Sequence, residues 1–177
     1  TQVEYGYSPA KASIVDKIKE GIKTIRKAGF TSNLVCYVTY DVQAIISQYY
    51  GDKISSATFA INGVDTRVPS IDGVPIIPVI DECMVTKLKF NDGKTSGQEA
   101  GGFKKASDGL DINFEIVSME APIAVQKTDN MRIFSPEVNQ KARAWAMDYR
   151  KFHDLWVPDN KQKGLYVSIK NAKPVSK

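Results

Sequence analysis

The chain has 177 residues, of which 42% are hydrophobic and 25% are charged. This balance is typical of a globular protein and excludes a disordered chain. The longest apolar run, Val74–Ile80, is interrupted by two prolines, and it is much shorter than the roughly 18 residues of a membrane span. We therefore expect one globular domain, or one domain with a smaller appendage, and no membrane segment.

The net charge of +4 is unevenly distributed along the chain. Residues 1–131 hold 14 Lys and Arg against 16 Asp and Glu, a net charge of −2, whereas residues 132–177 hold 10 against 4, a net charge of +6. A basic C-terminal quarter indicates an acidic partner. The excess is nevertheless modest for a dedicated nucleic-acid-binding protein.

The first predicted element is an amphipathic helix in SPAKASIVDKIKEGIKTIRKAGF. Ser8 is expected to cap its first turn, Pro9 to occupy the first helical position, and Gly29 to end it in a left-handed conformation. Isoleucines recur every three or four residues, the spacing of one helical face, at Ile14, Ile18, Ile22 and Ile25. We expect this face to lie on a core.

A strand and a second helix are predicted next. The segment Asn33–Tyr40 is rich in β-branched and aromatic residues, which indicates a central strand covered on both faces. The second helix is expected to run from Asp41, as its cap, to Gly51. This alternation of helix and strand favours a core in which helices pack on a sheet.

The middle of the chain predicts short strands and a long loop. Asp72-Gly73 is a strong turn signal between two strands. Pro75 and Pro78 remove hydrogen-bond donors, so the second strand is expected at a sheet edge or as an irregular strand. Residues 91–109 are glycine-rich and read as a long polar loop, LDINFEIVS reads as a strand, and APIAVQ reads as a short helix or turn.

The segment RIFSPEVNQKARAWAMDYRKFHDLW holds the only histidine and both tryptophans. Its pattern predicts a turn at Ser135-Pro136-Glu137, followed by a long strand. A turn at residues 158–164 and a final strand, LYVSI, would complete a projecting hairpin. Because an isolated hairpin is marginally stable in water, we expect another copy of the chain to cover its aromatic residues.

Two motifs in the sequence resemble parts of a phosphate-binding loop and of a catalytic site, but neither motif is complete. The GKT at the end of Asp92–Thr95 resembles part of a phosphate-binding loop, but Leu88 stands where that loop needs its first glycine. His153 precedes Asp154, yet adjacent residues point to opposite faces of a strand, and no nucleophile accompanies them. Neither motif predicts a catalytic residue.

The two cysteines are expected to be reduced and buried. Cys36 and Cys83 lack the paired CxxC spacing of a zinc site. With a single histidine in the chain, a metal site would depend on carboxylates alone, and no ligand spacing is visible. We expect no cofactor, no metal and no enzymatic activity.

The long patterns IDGVPIIPV and DINFEIVSMEAPIAVQKTDNMRIFSPEVNQKARAWAMDYRKFHDLWVPDNKQKGLYV resemble the C-terminal part of the major capsid proteins of tailed bacteriophages and prophages with the Hong Kong 97-type fold. The matching motifs are DGVPII.V, INF.IV, RIFSP..NQ, W...YR..HD and DNK..G.YV. The match is strong over Ile71 to Val167 and looser over the first 60 residues.

The resemblance implies an α+β fold in two domains. Residues 1–126 would form an α/β-like axial domain with a mixed sheet and flanking helices, and residues 127–163 a projecting β-hairpin of the peripheral domain. Residues 164–177 would supply a strand that returns to the axial sheet, and a tail. The N-terminal arm, extended loop and spine helix of such proteins are not visible before Thr1, so the chain is expected to be the C-terminal portion of a longer subunit.

The function implied by the resemblance is that of a structural subunit of an icosahedral capsid in the virion, made in the bacterial cytoplasm. Its partners would be other copies in pentamers and hexamers, scaffold or portal proteins, and packaged DNA. An encapsulin-like shell and a nucleic-acid-binding domain, in which the aromatic residues stack on bases, remain alternatives. The candidate interface residues are Trp145, Tyr149, Phe152 and Trp156 as packing anchors, and Arg132, Arg143, Arg150 and Lys151 as charged contacts.

Overall fold

A computed structural model describes residues 2–50, 54–61, 64–139 and 142–174. The chain divides into two units, Thr1–Ala121 with Asn160–Lys177, here the sheet unit, and Pro122–Asp159, here the hairpin unit. The helices and strands of the described residues are β1 (Gln2–Tyr5), α1 (Ile14–Lys27), β2 (Leu34–Thr39), α2 (Tyr40–Tyr50), β3 (Ser55–Ile61), β4 (Val64–Ile71), β5 (Val74–Val79), β6 (Leu88–Asn91), β7 (Gly102–Lys105), β8 (Ile112–Ser118), β9 (Ile123–Phe134), β10 (Ala146–Trp156) and β11 (Leu165–Ile169).

The sheet unit is built on a mixed sheet, in which the described residues contribute seven strands in the order β1-β11-β8-β2-β5-β4-β3. β2 is central, antiparallel to β8 and parallel to β5. β11 lies between β1 and β8. The expected α+β class is therefore confirmed. The sequence-based pairing of the last strand with the long strand before it is wrong, because β11 joins this sheet and β10 pairs with β9.

Both helices pack on one face of this sheet. β1, β2 and β5 are mutually parallel, and their order across the sheet is the same as their order along the chain. Since connections between parallel strands are right-handed, the connections through α1 and α2 lie on the same side. The helices thus cover one face of β2. On the opposite face Val35 is buried, whereas Tyr37 remains partly exposed, so the expected cover on both faces is only partial.

The core lies between this helical layer and the sheet. The four isoleucines predicted to form the buried stripe of α1 are at most 1% exposed, which confirms that prediction. Gly21, in the middle of α1, lies directly over the sheet, and a Cβ placed there would come 2.7 Å from Ile116 Cδ1 and 2.9 Å from Tyr166 Cδ1. A glycine is kept in this helix because the backbone approaches the sheet so closely.

The ends of the helices differ from the sequence prediction. α1 begins at Ile14 and not at Pro9, and Ser8 does not cap it, because the N–H groups of Ser13 and Ile14 both donate to the Ala10 carbonyl in a preceding turn. Gly29 has a φ of 100°, as expected.

Thr39, and not Asp41, caps α2. Its Oγ1 accepts a hydrogen bond from the Val42 N–H at 3.3 Å, while Asp41 lies inside the first turn. The predicted stop at Gly51 lies outside the described residues.

The turn between β4 and β5 is the one predicted. Asp72 and Gly73 have φ values of 51° and 78°, the left-handed pair of a type I′ turn. The expectation of an edge position for β5 is wrong, because β5 lies between β2 and β4. It is nevertheless irregular, since its pairing with β4 among the described residues stops at Pro75.

Two segments read as loop or helix are strands. Residues 102–105 of the glycine-rich segment form β7, which pairs with β6 in a small hairpin. The glycine-rich loop is therefore shorter than expected. APIAVQ contains the start of β9 and no helix, because its apolar residues continue the alternation of a long strand.

Candidate assembly surfaces

The hairpin unit is a two-stranded antiparallel ribbon with two different faces. β9 and β10 pair along their whole length, with Met147 opposite Ile133 and Asp148 opposite Arg132. Since side chains alternate between the faces of a strand, successive pairs lie on opposite sides of the ribbon. The register therefore decides which residues can act together.

One face of the ribbon carries a cluster of exposed apolar side chains, here the apolar face. Cross-strand pairs join Met131 with Tyr149 and Ile133 with Met147. These side chains are between 56% and 69% exposed. Exposed apolar clusters of this kind mark interaction surfaces in folded proteins.

A polar network ends the apolar face. Asp129 accepts a hydrogen bond from Gln126 at 2.9 Å and lies 4.0 Å from the Lys151 ammonium. The Tyr149 hydroxyl also donates to Asp129, which raises the pKa of that tyrosine above its ordinary value. The charged groups on this side of the ribbon are therefore paired internally.

A β-bulge changes which residues share a face. Phe152 pairs with Thr128 and His153 pairs with Gln126, so that Lys127 is the extra residue of β9. Beyond the bulge, Val125 and Trp156 lie on the face opposite to the apolar face. The ribbon therefore exposes apolar groups on both sides, at different distances from its tip.

The remaining face, here the polar face, surrounds a small cavity of about 160 Å³. In the register, Arg132 is opposite Asp148 and Arg150 is opposite Asn130. The lining residues are Thr128, Asn130, Arg132, Asp148, Arg150 and Phe152. Two arginines thus line one cavity.

The predicted interface residues are all in the hairpin unit and all exposed. The packing anchors Trp145, Tyr149, Phe152 and Trp156 are 71%, 56%, 57% and 48% exposed. Arg132, Arg143, Arg150 and Lys151 are exposed as well. The structure places Tyr149 and Lys151 on the side of the apolar face, and Arg132, Arg150 and Phe152 on the polar face. Their role as an interface stays a prediction.

Sequence reasoning missed a second exposed apolar patch, on the β6–β7 hairpin. Phe90 and Phe103 lie opposite each other with ring centroids 5.2 Å apart, and they are 61% and 69% exposed. On the other side of this hairpin Lys89 faces Lys104. Only the alternation LKFN followed by GFKK could have indicated this hairpin.

The segments considered for chemistry have structural roles in the described residues. The Asp92 carboxylate accepts the N–H groups of Lys94 and Thr95, each at 2.8 Å, and the Thr95 hydroxyl at 2.8 Å. These bonds lower the pKa of Asp92. The GKT amides are therefore used by the loop itself and are not arranged for a phosphate.

No group of three His, Cys, Asp or Glu side chains in the described parts of the chain could hold a metal ion. A surface groove of about 520 Å³ contains Asp81 and Asp111, but Asp81 accepts the Tyr40 N–H and Asp111 pairs with Lys105 at 2.6 Å. Cys36 is buried, as expected, whereas the expectation is wrong for Cys83, which is exposed in the 3₁₀ turn Asp81–Cys83.

No helix in the described part of the chain combines the length and apolarity that crossing a bilayer requires.

The fold can be compared with solved structures. The chain is similar to a chain from Mycobacterium phage Che8, with a TM-score of 0.53, 12% sequence identity, and coverage of 97% of this chain and 54% of that one. It is similar to a chain of the bacteriophage PhiM1 mature capsid, with a TM-score of 0.53, 12% identity, and coverage of 96% and 51%. It also matches the holo-SrpI encapsulin complex of Synechococcus elongatus, with a TM-score of 0.51, 12% identity, and coverage of 97% and 53%.

The chain thus spans about half the length of these solved structures. No family model and no curated protein matches its sequence. The shared architecture confirms the Hong Kong 97-type capsid fold that the sequence resemblance predicts.

Proposed function

We propose that the chain is part of a structural subunit of a phage or prophage icosahedral capsid, which assembles with copies of itself into a shell around phage DNA. The observation that carries this proposal is the exposed apolar face of the hairpin unit, with Met131, Ile133, Met147 and Tyr149 between 56% and 69% exposed. The shared fold with a mature capsid chain supports the same conclusion.

The physical argument starts from the instability of a two-stranded ribbon. Such a ribbon has no core of its own and is marginally stable in water. Covering its apolar face with another subunit would remove this exposed surface from water and stabilise the ribbon. In a symmetric shell the same contact repeats, so that many modest contacts sum.

The sheet unit would be the axial domain and the hairpin unit the peripheral domain. Trp145, Tyr149, Phe152 and Trp156 would be packing anchors between subunits. Arg132, Arg143, Arg150 and Lys151 would pair with carboxylates of neighbours or face the DNA. The glycine-rich segment of residues 91–109 would lie near a contact between subunits.

The proposed partners are other copies in pentamers and hexamers, packaged DNA through non-specific contacts, and scaffold or portal proteins. The subunit would be made in the bacterial cytoplasm and would reside in the virion. Its role would be structural, without a catalysed reaction. The Asp92 loop and the paired carboxylates of the groove support this, because their polar groups already bond within the protein.

Electron microscopy of the full-length product tests the proposal. We expect discrete closed shells from the unmodified protein. A variant with Met131→Glu and Met147→Glu should remain folded and lose assembly, because charge on the apolar face cannot be buried without cost. The matched control Lys23→Gln and Lys27→Gln, on the exposed side of α1, lowers the net charge by the same amount and should still form shells. A monodisperse monomer from the unmodified protein would contradict the proposal.

An encapsulin-like shell is the second candidate, favoured by the likeness to the SrpI encapsulin complex. The two candidates share the fold and differ in content. Nucleic acid inside purified shells would favour the capsid, whereas an enclosed protein would favour the second candidate. A nucleic-acid-binding domain, the third alternative, would bind DNA with steep salt dependence and form no shells.

A further inference from the structure

The polar face of the hairpin unit differs from the apolar face in how its cations are paired. On the opposite side, Lys151 lies 4.0 Å from Asp129, which also accepts from Gln126. In the described part of the chain, neither Arg132 nor Arg150 has an ion pair within 4.0 Å. This holds although Asp148 occupies the position directly opposite Arg132.

The two arginines share one cavity. Arg132 and Arg150 are diagonal neighbours across the ribbon, and both line the space of about 160 Å³ with Thr128 and Asn130. At about 30 Å³ for each water, this volume could hold about five waters, which is enough for a phosphate group and part of its hydration. Guanidinium groups are matched in geometry to phosphate oxygens.

We infer that the polar face binds the phosphate backbone of nucleic acid, with Arg132 and Arg150 contacting phosphate oxygens around this cavity. Thr128 and Asn130 supply neutral hydrogen-bond donors beside them. Asp148 offsets one of the two positive charges, so the polar face is not a broad basic surface. The position of the phosphate would therefore be set by the geometry of the hydrogen bonds. Phe152 closes one end of the face with a ring that is 57% exposed, on which a base can stack.

Charge favours nucleic acid over a second copy as the occupant. The polar face itself carries two arginines against one aspartate, so a polyanion is attracted to it. This inference rests on the proposed function, because a shell around a phage genome brings many copies to one DNA molecule. Repetition then makes a weak single contact effective.

The test measures binding of the intact chain to a fluorescein-labelled DNA duplex of about 20 base pairs by anisotropy, over a range of salt concentrations. Arg132→Gln with Arg150→Gln should reduce the slope of log K against log salt by about 1.8, because each phosphate contact contributes about 0.9. We take the contribution of the phosphate contacts to the binding constant as zero at about 1 M salt. At about 0.15 M salt the arginine variant should then bind the duplex about 30-fold more weakly than the unmodified chain.

The control variant Lys23→Gln with Lys27→Gln removes the same charge from α1, and it should change the slope much less. The pair Arg132→Lys and Arg150→Lys should keep the slope and lose part of the affinity, because lysine cannot bind a phosphate through two parallel hydrogen bonds. All four substituted residues are exposed, so circular dichroism should show unchanged folding for every variant.

Equal losses in the arginine and control variants would overturn the inference, since only net charge would then matter. Unchanged DNA binding in the arginine variant would also overturn it. If that variant in full-length form then failed to make shells, the arginines would be protein contacts and the proposed function would survive. Arginine-dependent binding by a full-length protein that makes no shells would support the inference while contradicting the proposed function.

Discussion

Replacing Trp145 by alanine separates a role in assembly from a role in folding. Trp145 is 71% exposed in the chain. Because a tryptophan can bury up to about 250 Å², about 180 Å² remains available to a partner. At about 25 cal/mol per Å² this corresponds to at most about 4.5 kcal/mol for each contact. About 70 Å² of the side chain is already covered, which corresponds to at most about 2 kcal/mol. An unfolded chain covers some of this area too.

We therefore expect Trp145→Ala to lower the free energy of unfolding of the isolated chain by less than about 2 kcal/mol, while strongly weakening assembly of the full-length protein. Urea denaturation measures the first quantity. Light scattering against concentration, with electron microscopy of the products, measures the second. The control is Trp156→Ala on the same ribbon, where the side chain is 48% exposed. About 130 Å² is already covered there, so the isolated chain should lose up to about 3 kcal/mol.

Two results would refute this reasoning. A loss of more than about 2 kcal/mol in the isolated Trp145→Ala chain would show that the side chain stabilises the fold itself. Shells of the full-length variant at the unmodified threshold concentration would show that Trp145 is not an anchor.

Further predictions concern the sheet unit. Gly21→Ala should lower stability by about 1–2 kcal/mol in urea denaturation, because overpacking against the sheet exceeds the gain of about 1 kcal/mol in helix propensity; a more stable variant would contradict the close approach of α1. Burial raises the pKa of Glu115 above its ordinary value of 4.5, so its contribution to stability is present below pH 4.5 and is lost as the pH rises through the folded pKa. Glu115→Gln should therefore gain stability relative to the unmodified chain as the pH rises towards neutrality, and a pH-independent difference would refute this. A disulfide reagent should modify Cys83 in the folded protein and Cys36 only on unfolding, since Cys36 is buried and its pKa is raised; rapid reaction of both thiols would argue against this core.

Local sequence patterns predicted those features of the sheet unit that depend on a single helix or turn. The isoleucine stripe of α1 and the turn at Asp72-Gly73 depend on spacing and backbone conformation within a few residues. The start of α1 was missed because Ser8 and Pro9 suit a turn before a helix as well as a cap. The positions of β5 and β11 depend on partners distant in sequence, which no local pattern specifies.

In the candidate interface, too, some residues could be predicted from local sequence and others only from strand pairing. Aromatic residue type was enough to select Trp145 and Tyr149, which the structure leaves exposed. Met131, Ile133 and Met147 were missed, because such residues are usually core and only the pairing of β9 with β10 brings them to one exposed face. Their contribution could not be recognised while the long strand was paired with the wrong partner.

The bulge at Lys127 shows how one residue changes what the ribbon can contact. The apolar residues Ile123, Val125, Met131 and Ile133 all have the same parity in β9, so a regular strand would place them on one face. The extra residue moves the first two to the side of Phe152 and Trp156. Without the bulge, β9 would contribute neither Ile123 nor Val125 to that side of the ribbon. Each subunit of a closed shell touches several neighbours, and apolar groups on both sides allow the ribbon to contact more than one.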